Sequence, residues 1–240
     1  MKKVLFGLLL CVAVLGFGFN VYAEEEVYYT NANGVELNEK EYKFLTAFYW
    51  DGYPAIMTKK DYKEFVDMDL MNRRIIIKKS NGGSSKSPYH GTLHKSVQIS
   101  AACSSTCYIN IVATWFSSPN NRSYDDIGAY FSGPSYYSYS HSYVSSSSGT
   151  SYFSDLKIPG NGIGSTVKLP DSGSNIIVSL GFSTVGSGTI YGSYQHSVTP
   201  ITQAIAKNYN ISFGGYGHVF DFYGTAAGVF DGMAGVDITV

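Results

Sequence analysis

The strongest constraint on this chain is a period-two alternation of apolar and polar residues that begins near Thr92. Val97, Ile99, Ala101 and Cys103 share one parity, and so do Cys107, Ile109, Ile111, Ala113 and Trp115 after Ser104, Ser105 and Thr106. Side chains of a strand alternate between faces with this period, so each run lays its apolar set on one side of a sheet. Two such runs around a three-residue tip predict a β-hairpin with the two cysteines opposite each other at its closing pair. A Cys103–Cys107 disulfide is expected there, with free thiols as the alternative. On one straight strand, residues i and i+4 would lie about 13 Å apart, too far to bridge. Metal binding by these cysteines would need further Cys or His at fitting spacing, and none stands nearby.

The same alternation predicts further strands over 123–131, 150–158, 164–169, 175–184, 189–198, 208–213, 218–223 and 235–240. Turn residues separate them: Pro119-Asn120-Asn121, Pro159-Gly160-Asn161-Gly162, Pro170-Asp171-Ser172-Gly173, Gly186-Ser187-Gly188 and Gly214-Gly215. About ten short strands spaced in this way predict a mainly β domain, an antiparallel β-sandwich or jelly-roll-like fold. No alternation of strand and helix is visible, which argues against a nucleotide-binding parallel sheet.

Charge marks the internal boundary. Residues 24–79 hold 11 acidic and 9 basic side chains, whereas residues 80–240 hold 7 and 6. The charged segment contains a repeat of period 20, in which Leu37-Asn38-Glu39-Lys40-Glu41-Tyr42 aligns with Met57-Thr58-Lys59-Lys60-Asp61-Tyr62. Asn38 and Thr58 are good N-caps, each with an acid three residues on, although Asp61 is shorter than the Glu or Gln a capping box prefers. Tyr42, Leu45 and Phe48 in one copy and Tyr62, Phe65 and Val66 in the other follow helical spacing. A small α-helical hairpin is expected, and helices this short need a surface to dock on. Residues 73–79 read as an edge strand whose basic residues discourage aggregation, or as a basic membrane stripe.

The expected organisation is therefore a signal peptide at 1–23, a helical hairpin segment at 24–79, a flexible linker at 80–91 and the β domain at 92–240. The signal peptide is read from Lys2 and Lys3, the apolar run that follows, and Val21-Tyr22-Ala23 before Glu24. Its removal leaves 15 basic and 18 acidic side chains, a formal charge of −3. With no global positive field, nucleic acid is not an expected partner.

Catalytic constellations are scarce. The β region has no Glu, no Gly-x-Ser-x-Gly elbow, and an Asp125-Asp126 pair whose members point to opposite faces of a strand. His90 and His94 have i, i+4 spacing but lack the Glu of a zinc-protease helix, and Asp67-Met68-Asp69 lacks the Gly and Glu of a calcium loop. Gly160-Asn161-Gly162-Ile163-Gly164 is a turn rather than a phosphate loop. Leu169-Pro170-Asp171-Ser172-Gly173 has no following tail that would make it a wall-sorting signal. No enzyme activity, metal or cofactor is expected. The candidate binding residues are Tyr137, Tyr139, His141 and Tyr143, which share one parity with serines on the other. An extended strand would present them as an aromatic row suited to stacking on sugars or packing at an interface. Residues 175–198 read as a hairpin around Gly186-Ser187-Gly188. Its alternation of apolar and small polar residues fits a sandwich, and also the inserting hairpin of a pore-forming protein.

Tyr28-Tyr29-Thr30-Asn31-Ala32-Asn33-Gly34-Val35-Glu36-Leu37, before the Glu41-Tyr42 helix, resembles the opening of a group of uncharacterised secreted proteins from Gram-positive bacteria. Trp115-Phe116-Ser117-Ser118-Pro119, Arg122-Ser123-Tyr124-Asp125-Asp126-Ile127-Gly128, Asn161-Gly162-Ile163-Gly164 and Tyr191-Gly192-Ser193-Tyr194-Gln195-His196 are similar to later motifs of that group. The resemblance implies secretion and a shared fold and brings no catalytic residues. The expected function is a secreted, non-catalytic module for a surface, glycan or protein partner. The alternative is a membrane-active or pore-forming β protein, the only reading in which a membrane is touched.

Overall fold

A computed structural model describes residues 26–80, 95–212, 219–231 and 234–240. The expected signal peptide (1–23) lies outside the described residues, as do His90, His94, His218 and all of the expected linker (80–91) except Ser80.

The chain is mainly β. Its elements run β1 (Tyr29–Thr30), β2 (Glu36–Leu37), α1 (Glu39–Phe48), α2 (Tyr53–Ile56), α3 (Lys59–Asp67), β3 (Arg74–Lys79), β4 (Lys95–Cys103), β5 (Thr106–Trp115), β6 (Tyr124–Ser132) and β7 (Ser135–Ser146). They continue with β8 (Gly149–Tyr152), β9 (Leu156–Lys157), β10 (Gly162–Lys168), β11 (Ile177–Val185), β12 (Thr189–Gln195), α4 (Gln203–Ala206), β13 (Tyr209–Ile211), β14 (Phe220–Phe222) and β15 (Ala234–Thr239). Six strands form one antiparallel sheet in the order β3-β4-β5-β11-β7-β8, and five form another in the order β15-β12-β6-β10-β9. Among the described residues, neither closes into a barrel.

The alternation read from the sequence decides what these sheets bury. Val97, Ile99, Ile109, Ile111, Val178 and Phe182 of the six-stranded sheet share one buried cluster with Ile127, Phe131, Ile163, Val167 and Ile190 of the five-stranded sheet. Each such side chain contributes about 1.5–3 kcal/mol on burial, which holds the sheets together without directional bonds. Cys103 pairs with Cys107 across the β4-β5 turn and the two are joined in a disulfide, with Cα atoms 4.0 Å apart.

On its other face the six-stranded sheet carries the helices. Leu45, Phe48 and Tyr49 pack with Ala102, Tyr108 and Tyr143 in a second buried cluster. Both helices begin with a reciprocal cap: Asn38 with Glu41 in α1 and Thr58 with Asp61 in α3. The short Asp61 side chain suffices, accepting from the Thr58 N–H at 2.9 Å and from its hydroxyl at 2.7 Å. The repeat partners meet in space, since the Tyr62 hydroxyl donates to Glu41 at 2.9 Å and Phe44 packs on Phe65 with ring centroids 5.7 Å apart. Val66 departs from the expected apolar stripe and is 52% exposed.

Two expectations about connectivity are corrected. Residues 175–198 do not form a hairpin: β11 lies between β5 and β7 in one sheet, while β12 lies between β6 and β15 in the other. The Gly186-Ser187-Gly188 tip is therefore a crossover between sheets, with φ of 87° at Gly186 and 143° at Gly188, values that L side chains disfavour. Likewise 150–158 is not one strand. It breaks after Tyr152, so that β8 ends one sheet and β9 the other. As its basic residues predict, β3 is an edge strand.

The outer face of the five-stranded sheet carries the β13-β14 ribbon. Tyr209, Ile211, Val219 and Phe220 form a small cluster against Tyr130 and Tyr191. They sit close to backbone because glycine lies beneath them. A Cβ at Gly162 would come within 2.4 Å of Ile211 Cγ2, and one at Gly164 within 2.6 Å of the Tyr209 hydroxyl. Gly162→Ala should lower the free energy of unfolding in urea by about 1–3 kcal/mol through overpacking. Gly160→Ala, two residues away with open space around it, should leave the urea midpoint essentially where it was; equal effects at the two positions would refute this account of the glycines.

Candidate functional site

The described residues enclose a tyrosine-lined cavity of about 150 Å³ between α2, α3 and the six-stranded sheet. Its lining includes Tyr49, Tyr53, Tyr108, Tyr139, Tyr143 and Tyr152, with His141 and Ser140, and Lys60, Asp61 and Glu64 of α3. Each wall follows from local sequence. Pro54 sits in the first turn of α2, where its missing N–H costs nothing, and it fixes the chain so that Tyr53 stacks on Tyr49 at 4.1 Å between ring centroids. Tyr108 projects from β5 on the parity opposite to the inter-sheet core, and its ring lies 6.0 Å from Phe48.

The floor crosses three strands. His141 on β7 stands opposite Gly181 on β11, which in turn stands opposite Asn110 on β5. Any side chain at 181 would collide with His141, because a Cβ there falls 2.4 Å from the imidazole Cε1 and 2.8 Å from the Tyr108 hydroxyl. Glycine lets the imidazole lie across the strand, where Nε2 is 3.0 Å from the Ser179 hydroxyl and Nδ1 is 3.5 Å from the Tyr108 hydroxyl. Ser179 donates onward to Asn110 Oδ1 at 3.0 Å, and the Tyr143 hydroxyl accepts from the Trp50 indole N–H at 3.1 Å. Asn110 Nδ2 is buried without a partner among the described residues.

Burial sets the protonation of this floor. It lowers the His141 imidazole from its ordinary 6.5 to about 4, against a weaker opposite pull from Asp61. Burial likewise raises the Tyr108 hydroxyl to about 12 and pushes Tyr143, Tyr49 and Tyr53 upward. At pH 7 the floor is thus neutral imidazole and neutral phenol. The charge sits on α3, where Lys60 pairs with Glu64 at 3.7 Å.

Of the residues read from the sequence, the structure brings His141 and Tyr143 together, their rings stacked 5.1 Å apart. The single row does not form. Pairing of β7 with β11 slips twice, between Gly181 and Phe182 and between Ser183 and Thr184, leaving Ser140 and Tyr137 as extra residues. Each bulge moves the following side chains to the other face. Tyr139 consequently packs against the inter-sheet cluster and donates its hydroxyl to the Phe153 carbonyl at 2.8 Å, although the residue still borders the cavity. Tyr137 is 63% exposed and is not part of the lining.

Tyr49, Tyr53, Asp61, Glu64 and Tyr108 were not legible as site residues. The available signal was Tyr108, a large aromatic on the parity of β5 that faces away from the core, which implies a cover on that side. No protein-family model matches this chain, and no curated protein matches it.

Because the folded state holds His141 neutral, the unfolded chain binds the extra proton between about pH 6.5 and pH 4. Stability is full above pH 6.5 and falls as the pH drops through that window, by on the order of 3 kcal/mol from this residue. His141→Gln should remove that part of the acid sensitivity, seen as a smaller difference between urea midpoints at pH 7 and pH 4.5 than in the unaltered protein. An equal difference would mean that His141 titrates freely.

Proposed function

We propose that this chain is a secreted, non-catalytic binding module: a β-sandwich with an N-terminal helical hairpin whose tyrosine-lined cavity takes a sugar unit of an extracellular surface. The observation that carries the reading is a preformed aromatic cavity whose walls are already locked. Tyr49, Tyr53, Tyr108 and Tyr143 are buried, and three of their four hydroxyls have partners. Rigid aromatic walls lose little entropy when a ligand enters, which is where binding sites gain affinity. Phenol faces suit the apolar side of a sugar ring, and Ser140 with Glu64 and Asp61 at the mouth supplies hydrogen-bonding groups for its hydroxyls. The neutral imidazole and protonated phenols of the floor have no group poised to exchange a proton near pH 7, which favours holding a ligand over transforming it.

Secretion is part of the proposal and rests on residues 1–23 and on the resemblance of the tyrosine- and glycine-containing motifs; the Cys103–Cys107 disulfide is compatible with an exported chain. The membrane-active reading loses the observation that motivated it, because β11 and β12 are not a hairpin.

The test is co-sedimentation of the purified full chain with cell walls and, in separate tubes, with lipid vesicles. Pelleting with walls is expected, and Tyr152→Ser combined with Glu64→Gln should weaken it at least tenfold, about 1.4 kcal/mol, at unchanged Tm. Both substitutions fall at the mouth of the cavity, on side chains with large exposed areas. Protein left in the wall supernatant, or wall binding indifferent to the double substitution, would overturn the assignment. Pelleting with vesicles instead would put the membrane reading ahead of it.

A further inference from the structure

A second group of ionisable side chains lies away from the cavity, where the two sheets meet at the start of β4 and just before β15. Lys95 is fully buried, and its Nζ lies 2.7 Å from Asp231 Oδ1 and 2.5 Å from Oδ2. Asp231 is itself only 11% exposed. Aromatic rings flank the ammonium, which sits 5.5 Å from the Trp115 ring centroid and 5.2 Å from that of Tyr194.

The carboxyl is held from several directions. Asp231 Oδ1 accepts the backbone N–H of His196 at 3.0 Å, and the Asp231 carbonyl accepts from Gln195 Nε2, also at 3.0 Å. The His196 backbone is fixed in turn by Asp125, which meets the imidazole Nδ1 at 2.9 Å and accepts the N–H of Ser197 at 3.1 Å. Asp125 also accepts from the Tyr194 hydroxyl, which takes the Trp115 indole N–H at 2.9 Å.

We propose that Lys95 and Asp231 condense spontaneously into an intramolecular isopeptide bond that joins the six-stranded sheet to the segment entering the five-stranded one. The reacting pair needs no outside reagent. An ammonium beside a carboxylate carries the same protons as an amine beside a carboxylic acid, so transfer of one proton within the pair gives the reactive form. Burial pulls the Lys95 ammonium below its ordinary range, against the opposing pull of Asp231. The neutral amine attacks Cγ of the protonated Asp231 and the N–C bond forms. One C–O bond of the carboxyl then breaks, and its oxygen leaves as water with one proton from the amine and one from the acid.

The His196 N–H, directed at Oδ1, steadies the negative charge that gathers there in the tetrahedral intermediate, as oxyanion donors do. In water the reverse hydrolysis competes, but fixed reactants at contact distance behave as if at about 10⁵–10⁸ M, and the burial of Lys95 limits the competing water.

Mass spectrometry of the purified full chain decides the matter. Thiols are reduced and alkylated so that the disulfide does not contribute, and the protein is digested with trypsin. The expected product is one branched peptide containing both Lys95 and Asp231, lighter than its two components by one water, with no cleavage after Lys95. Lys95→Met and Asp231→Ala should each restore separate peptides of full mass. The unaltered protein is checked for a sharp thermal transition beforehand, so that the result refers to folded chain. Two separate full-mass peptides from that folded protein, with trypsin cutting after Lys95, would overturn the proposal.

Discussion

The central strands of the six-stranded sheet are covered on both faces, and the rest of the structure answers to that constraint. An antiparallel sheet with one wet face can use its outward positions for any polar side chain. Here β4, β5 and β11 are buried along nearly their whole length on both sides. Every polar group on the covered outer face must then find a partner or remain at a cost. Ser179 bridges His141 and Asn110, and Gln98 donates to the Ala47 carbonyl at 2.9 Å and the Phe48 carbonyl at 3.3 Å. The Gln98 contacts satisfy the exposed carbonyl end of α1, a helix with no basic residue in its last turn. Sheet and helix therefore complete each other's hydrogen bonding, which explains how helices too short to persist alone are held in place.

The two outer faces are covered by different means. Over the six-stranded sheet the cover is thick, with large aromatic rings meeting large aromatic rings, and imperfect fit leaves the cavity. Over the five-stranded sheet the cover is a short two-stranded ribbon lying on Gly128, Gly162 and Gly164, where removing side chains from below lets Tyr209, Ile211 and Phe220 settle onto backbone. Cavity and close contact are two outcomes of one problem, the matching of an irregular cover to a pleated surface. Glycine solves it at one face, and at the other Gly181 does so only beneath the imidazole.

What the sequence made legible was whatever depends on nearest neighbours. Most strand positions, both helix caps and the Cys103–Cys107 pairing follow from alternation, capping chemistry and a tight turn, all set within a few residues. Strand partnership is different in kind. The segment 175–198 satisfies every local rule for a hairpin, yet β11 gains more by entering between β5 and β7 than by folding back on β12, and only the whole sheet determines that. The bulges in β7 were hidden for the same reason, since a serine-tyrosine alternation carries no mark of where pairing slips. Asp61 was illegible in a third way: its role as a cap accounts for the residue fully at the local level, so nothing pointed to its second place at the mouth of the cavity.

The Lys95–Asp231 pair poses an energetic question that packing does not answer. Withdrawing two charges from water costs several kcal/mol per ion, and their attraction rarely returns more than a well-packed apolar pair of the same volume would. Trp115 and Tyr194 show that apolar surface is available at this point, so the ions are not a makeshift for missing hydrophobes. Condensation resolves the difficulty in a way that apolar packing cannot. The amide has no net charge to desolvate, and its oxygen keeps the His196 N–H as donor. The link joins positions 136 residues apart, so the unfolded chain loses more freedom than it does through the short Cys103–Cys107 loop. The two crosslinks thus act at different scales, the disulfide on one hairpin and the amide on the association of the sheets.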